Sequence, residues 1–232
     1  MKFFRLKNSF NTKEIGRYPQ VEKINRLGDL FKIEEIGNTS KINFKWDIPE
    51  PIMKKKANVT TLLSVIPFTT ALFLTFEKSF INFLENFSVG DFSTWELKIH
   101  HKDEVLNNYR LFHLSYPSDD KYIDFEKSDF ITITSGGRYE DTSFKPVKIN
   151  NLNNYLNTLE VVRSAGNLTV TYNKLVLDFS NATEDIIRFI DVTNNLGYYV
   201  SERLKNAIEE KGFTGIAFQE IEEMDKRIKV IY

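Results

Sequence analysis

Cysteine is absent from the 232-residue chain, which excludes disulfides, thiolate metal sites and a cysteine nucleophile and agrees with a reducing compartment. Neither sign of charge is in excess: 31 Lys and Arg face 32 Asp and Glu, whereas a dedicated nucleic-acid binder usually carries a basic surplus. Residues 1–8 scatter basic side chains among apolar ones and lack the unbroken apolar core and small-residue cleavage site of a secretory signal. With 41% hydrophobic and 27% charged residues, wholesale disorder is excluded. At roughly 100–200 residues per domain, the length predicts a single globular domain over residues 1–232.

One stretch invites a membrane reading. Residues 57–76 carry no charge and follow Lys54-Lys55-Lys56, as the positive flank of a spanning helix would. Pro67 interrupts the stretch, and Asn58, Thr60, Thr61, Ser64, Thr69, Thr70 and Thr75 stud it with polar groups. Two buried elements, near 59–66 and 68–76, explain the run without a bilayer. The expectation is a cytoplasmic protein with no membrane and no nucleic-acid partner.

What the sequence has in plenty is aromatic: 20 Phe, 10 Tyr and 2 Trp. Such residues suit pleated, half-buried surfaces and predict substantial sheet content. Alternation predicts strands at 30–33, 42–46, 92–100, 109–116, 122–125 and 130–134. A strand pair is expected around Asn173, and further strands over 198–200, 215–221 and 228–232. The prolines at 49 and 51 are expected to stop regular structure, and 117–121 reads as a polar loop. Helical spacing predicts helices over 77–87, from the Asn-rich 150–157, over 186–190 behind Thr183-Glu184-Asp185, and after Ser201. Ser201 is a natural N-cap, and Gly212 suits the left-handed position beyond the C-cap. The predicted class is α+β, with mixed or antiparallel sheets and a few amphipathic helices.

The two clearest helical units echo each other. A shift of 124 positions, about half the chain, lays Phe80 on Leu204, Phe83 on Ala207, Leu84 on Ile208 and Phe92 on Ile216. The echo is either chance between generic units or a weak duplication, with lobes over 57–134 and 168–232 sharing one core.

Signatures of catalysis are sparse. There is no G-x-S-x-G elbow, G-x-G-x-x-G or complete P-loop, though Ser135-Gly136-Gly137-Arg138 offers a glycine turn with an arginine. His100, His101 and His113 are the only imidazoles. A site using two of them with Asp103 or Glu104 is conceivable, but neighbours on a strand face opposite ways, and exposed strand histidines are the simpler reading. The pairs Asp119-Asp120, Glu140-Asp141, Glu184-Asp185, Glu209-Glu210 and Glu222-Glu223 read as solvated surface. No catalytic, cofactor or metal residues are assigned. Acidic loops beside aromatics suit the gripping of a basic protein surface, and Asp119, Asp120, Tyr139, Glu140 and Asp141 are the candidate partner-binding residues.

Two segments carry a family resemblance. Val200-Ser201-Glu202-Arg203-Leu204-Lys205-Asn206-Ala207-Ile208-Glu209-Glu210, followed by Gly212-Phe213-Thr214-Gly215-Ile216-Ala217-Phe218, resembles the C-terminal signature of immunity protein family eleven, a bacterial family found beside polymorphic toxin genes. Leu74-Thr75-Phe76-Glu77-Lys78-Ser79-Phe80, 92–99 and 122–130 are also similar to members of that group. The resemblance implies a non-enzymatic cytoplasmic protein that binds and neutralises a cognate protein toxin encoded by the adjacent gene. The alternatives are a small phosphate- or nucleotide-handling hydrolase using the Ser135–Arg138 turn, and a structural accessory of a secretion system.

Overall fold

A computed structural model describes residues 1–26, 47–65, 72–115, 118–134, 143–165, 168–192 and 197–232. Along the chain run β1 (Phe3–Asn8), α1 (Thr12–Ile15), β2 (Val21–Arg26), β3 (Glu50–Met53), β4 (Leu62–Leu63), β5 (Leu74–Glu77), α2 (Lys78–Leu84), β6 (Phe92–His101) and β7 (Glu104–Leu114). There follow α3 (Asp119–Tyr122), β8 (Asp129–Thr134), β9 (Ser143–Val147), α4 (Leu152–Ser164), β10 (Leu168–Asp178) and β11 (Ile186–Phe189). The last elements are β12 (Gly197–Ser201), α5 (Glu202–Glu210), β13 (Ile216–Glu220), α6 (Ile221–Met224) and β14 (Ile228–Ile231). The architecture is α+β. Its sheets have the orders β11-β12-β1-β13, β14-β10-β8-β9 and β2-β3-β6-β7-β5-β4. The described pairings are antiparallel apart from β3 with β6 and β10 with β14.

The uncharged run supplies β4 and β5 to the third sheet, where Leu62 faces Phe76 and Leu63 faces Thr75. Among the described residues, no helix is long and apolar enough to cross a membrane.

Two split strand–helix–strand units meet across one core. In the first, α2 connects β5 to β6 while β7 lies between those strands, antiparallel to both. In the second, α5 connects β12 to β13 while β1 lies between them in the same way. The helices open at Lys78 and Glu202, and the returning strands at Phe92 and Ile216; both second positions lie 124 residues after the first. Leu74, Phe76, Phe80 and Leu84 of one unit and Tyr198, Val200, Leu204 and Ile208 of the other line the same core at that spacing. Phe213 seals the contact, its ring 5.0 Å from those of both Phe80 and Phe83. The segments 57–134 and 168–232 are therefore interleaved: β8 of the first pairs with β10 of the second.

Capping explains why α5 begins where it does. Ser201 Oγ accepts the Leu204 N–H at 3.1 Å and donates to Asp185 Oδ1 at 2.6 Å, so one hydroxyl serves helix and core together. Gly212 beyond the helix has φ 70°. Gly215, before β13, has φ 77°, and a Cβ there would strike the Leu62 carbonyl and the Thr60 side chain. Gly215→Ala is expected to cost at least about 2 kcal/mol, read by urea denaturation, because left-handed strain adds to a backbone clash.

Several expectations are corrected. Residues 186–189 form β11, not a helix: all four are buried, Ile186 in one core and Ile187 and Phe189 in another, which a strand with two covered faces allows. The expected strand pair around Asn173 is one continuous strand, β10, with a bulge between Tyr172 and Lys174. Pro51 does not end regular structure; it sits in β3, whose ladder with β6 is the single pair Ile52 and His100. Where a polar loop is expected at 117–121, residues 119–121 instead open the single turn α3, which runs on to Tyr122. Ile123, expected in a strand, makes only an isolated bridge to Leu177. The strands expected at 30–33 and 42–46 lie outside the described residues.

Candidate functional site

A charged surface feature is built around α3, which holds two of the predicted site residues. Its anchor is Asp119, which is 0% exposed. Oδ2 accepts the Ile190 N–H at 3.0 Å, and Oδ1 accepts those of Asp191 at 3.1 Å and Val192 at 3.0 Å. These are backbone donors just beyond β11, where no ladder partner is at hand. Ser118 completes the junction: its N–H donates to the Arg188 carbonyl at 2.7 Å and its Oγ accepts the Arg188 N–H at 3.2 Å. Burial pushes the Asp119 carboxyl pKa up, and the backbone N–H groups pull against that shift.

With Asp119 turned inward, Asp120 faces solvent on the opposite side of the turn. Lys121 Nζ and Tyr122 Oη both donate to the Glu184 carboxylate. Partial burial opposes ionisation of Glu184, yet these donors hold its carboxyl pKa down to about 2. Burial first, and Glu184 second, push the Tyr122 phenol up to about 12. The Tyr122 ring is fixed from below by Phe179, centroids 5.4 Å apart.

Lys121, Tyr122, Ile123, Asp124, Asp178 and Asn181 line an open groove of about 360 Å³ beside this turn. Asp124 accepts from Lys127 Nζ at 2.7 Å and from the Lys127 N–H at 3.0 Å, and the lysine keeps its carboxyl pKa below the usual range. Asp178 Oδ1 accepts the Ser180 hydroxyl at 2.6 Å and N–H at 2.9 Å, with the same effect on its pKa. Backbone bonds fix the floor, since the Asp124 N–H donates to the Val176 carbonyl at 2.9 Å. The carboxylates of Asp120, Asp124, Asp178 and Glu184 thus outnumber the ammonium groups of Lys121 and Lys127 on a pre-set surface. Carboxylates held ionised by strong donors are poor proton carriers and good electrostatic contacts.

Of the candidate partner-binding residues, Asp120 is exposed on α3, next in sequence to Lys121 of the groove but not part of its lining. Asp119 is corrected: its side chain is an internal cap with no surface to offer. Tyr139, Glu140 and Asp141 lie outside the described residues, as does the Ser135–Arg138 turn. Asp185 is corrected as well. Expected to be solvated, it is 1% exposed and accepts from the Ser88 N–H, the Ser201 hydroxyl and the Arg203 guanidinium. The histidines separate: His100 Nε2 contacts Glu50 Oε2 at 2.8 Å, His101 is buried, and His113 lies against Arg188. Among the described residues, no group of three or more His, Asp or Glu side chains is arranged to hold a metal ion.

Sequence reading missed Asp178 and Glu184 as members of this surface. Only tertiary structure brings them beside α3, and no local pattern marks them. No protein-family model matches the chain, and no curated protein matches it at a significant level.

Proposed function

We propose that this chain is an immunity protein, a non-catalytic cytoplasmic binder that neutralises a cognate protein toxin encoded by the adjacent gene. The observation that carries this reading is the acidic groove beside α3, whose carboxylates are pre-positioned around a rigid tyrosine. Such a surface needs little ordering on binding and attracts a basic partner from a distance. The resemblance of the β12–α5–β13 segment to the immunity-family signature points the same way. Ser201, Glu202, Gly215 and Phe218 of that segment have structural duties and are not assigned as toxin contacts.

The test is co-production with the protein encoded by the neighbouring gene. Growth should be restored in cells that make the toxin, and the two chains should co-elute as a complex. Growth arrest that this chain does not relieve, together with no complex on mixing the purified proteins, removes the proposal.

A further inference from the structure

Arg188, on β11, is 0% exposed, yet no carboxylate among the described residues forms an ion pair with it. Its Nη1 lies 3.1 Å from His113 Nε2, while Nε and Nη2 have no hydrogen-bond partner among the described residues. Nε and Nη2 share one edge of the guanidinium, the edge that grips two oxygens or one ion side-on.

The chemistry of His113 sharpens the picture. A guanidinium only donates, so Nε2 of the imidazole accepts and the ring proton resides on Nδ1. Burial first and Arg188 second push the His113 pKa down to about 3, which keeps the ring neutral. Nδ1–H is then another buried donor without a partner. Ser115, two residues on and just past the end of β7, is also fully buried with its hydroxyl unpartnered. Of the orphaned groups at this junction of β7 and β11, the guanidinium and imidazole N–H groups only donate, while the Ser115 hydroxyl both donates and accepts.

Countercharge is present but does not touch the guanidinium. Asp119 spends its oxygens on backbone N–H groups, and Asp191, pushed up to about 6 by burial and by Asp119, acts on Arg188 through space. Tyr198 Oη donates to the Leu72 carbonyl at 2.6 Å, accepts the Leu114 N–H at 3.2 Å and lies close enough to interact with the guanidinium, but as a neutral phenol it supplies no countercharge. The unmet need is therefore for an acceptor. A water molecule can bond to these donors and give a proton to the Ser115 hydroxyl, but it leaves the buried guanidinium charge unmatched. A monatomic anion accepts from several donors at once and brings no proton.

We infer that the free edge of Arg188, at the junction of β7 and β11, is a binding site for a small inorganic anion of the halide class, with chloride its ordinary occupant. The anion ties the third sheet to β11 and thus steadies the strand that carries the Asp119 cap.

The experiment compares thermal unfolding of the full chain in chloride and in gluconate at equal ionic strength. Chloride should raise Tm saturably, by about 5–10 °C at a hundredfold excess over its dissociation constant. Arg188→Met, which removes the donors and the charge together, should lose that dependence. Crystals soaked in bromide should show an anomalous peak against Nε and Nη2 of the wild-type chain, a measurement that stands even if the variant does not fold. Equal Tm in the two salts, an unchanged chloride response in R188M, or bromide found only elsewhere overturns the assignment.

Discussion

Asp119→Ala is expected to remove about 3–5 kcal/mol of folding stability, a large share of what a domain this size possesses. The methyl group leaves the N–H groups of Ile190, Asp191 and Val192 without the acceptor they now share. Asp119→Asn distinguishes capping from charge. Its single carbonyl oxygen can keep the two bonds now made to Oδ1, but its NH₂ then faces the Ile190 N–H, donor against donor. The asparagine variant should therefore lose roughly half as much as the alanine variant. Urea unfolding followed by tryptophan fluorescence gives both values, and amide exchange should accelerate first at 190–192. An alanine variant within about 1 kcal/mol of wild type would show that those N–H groups have another partner.

Reversing charge in the groove and on the adjoining turn with the double substitution Asp178→Lys and Asp120→Lys is expected to slow association with the toxin about 10–100-fold at low salt. Neither side chain is part of the core, and among the described residues the Asp178 side chain bonds only to the exposed Ser180, so unfolding in urea should stay close to wild type. Raising the salt to 0.5 M should narrow the gap, because screening then acts within a few ångströms. Stopped-flow binding across a salt series reads the effect. An unchanged association rate in the folded double variant excludes this groove as the toxin-facing surface while leaving an immunity function open elsewhere on the chain.

Features encoded within a few consecutive residues were legible in the sequence. The cap at Ser201, the stripe of Leu204 and Ile208, and the left-handed glycine at 212 each state a local geometry, and the structure places α5 accordingly. Residues 186–190 show where local reading fails. Ile186, Ile187, Phe189 and Ile190 satisfy helical spacing, but a short apolar run reads equally as a strand buried on both faces, and β12 decides the matter. Asp119-Asp120 was read as one kind of residue twice over. Its members face opposite ways because donors some seventy residues later claim the first. Arg188 gave no signal at all, since nothing near it in sequence announces a guanidinium without exposure.

The position of β1 bears on how the chain is made. Phe3 aligns with Ser201 and Asn8 with Ile216, so β1 is synthesised well before the strands it joins. At about 5–20 residues per second, that strand waits roughly 10–40 s for its neighbours to be synthesised. Throughout that interval Phe3, Phe4 and Leu6 have no sheet to enter, and closing so long a loop slows the final assembly. Production in cells is thus governed by whatever shields Phe3, Phe4 and Leu6 during translation.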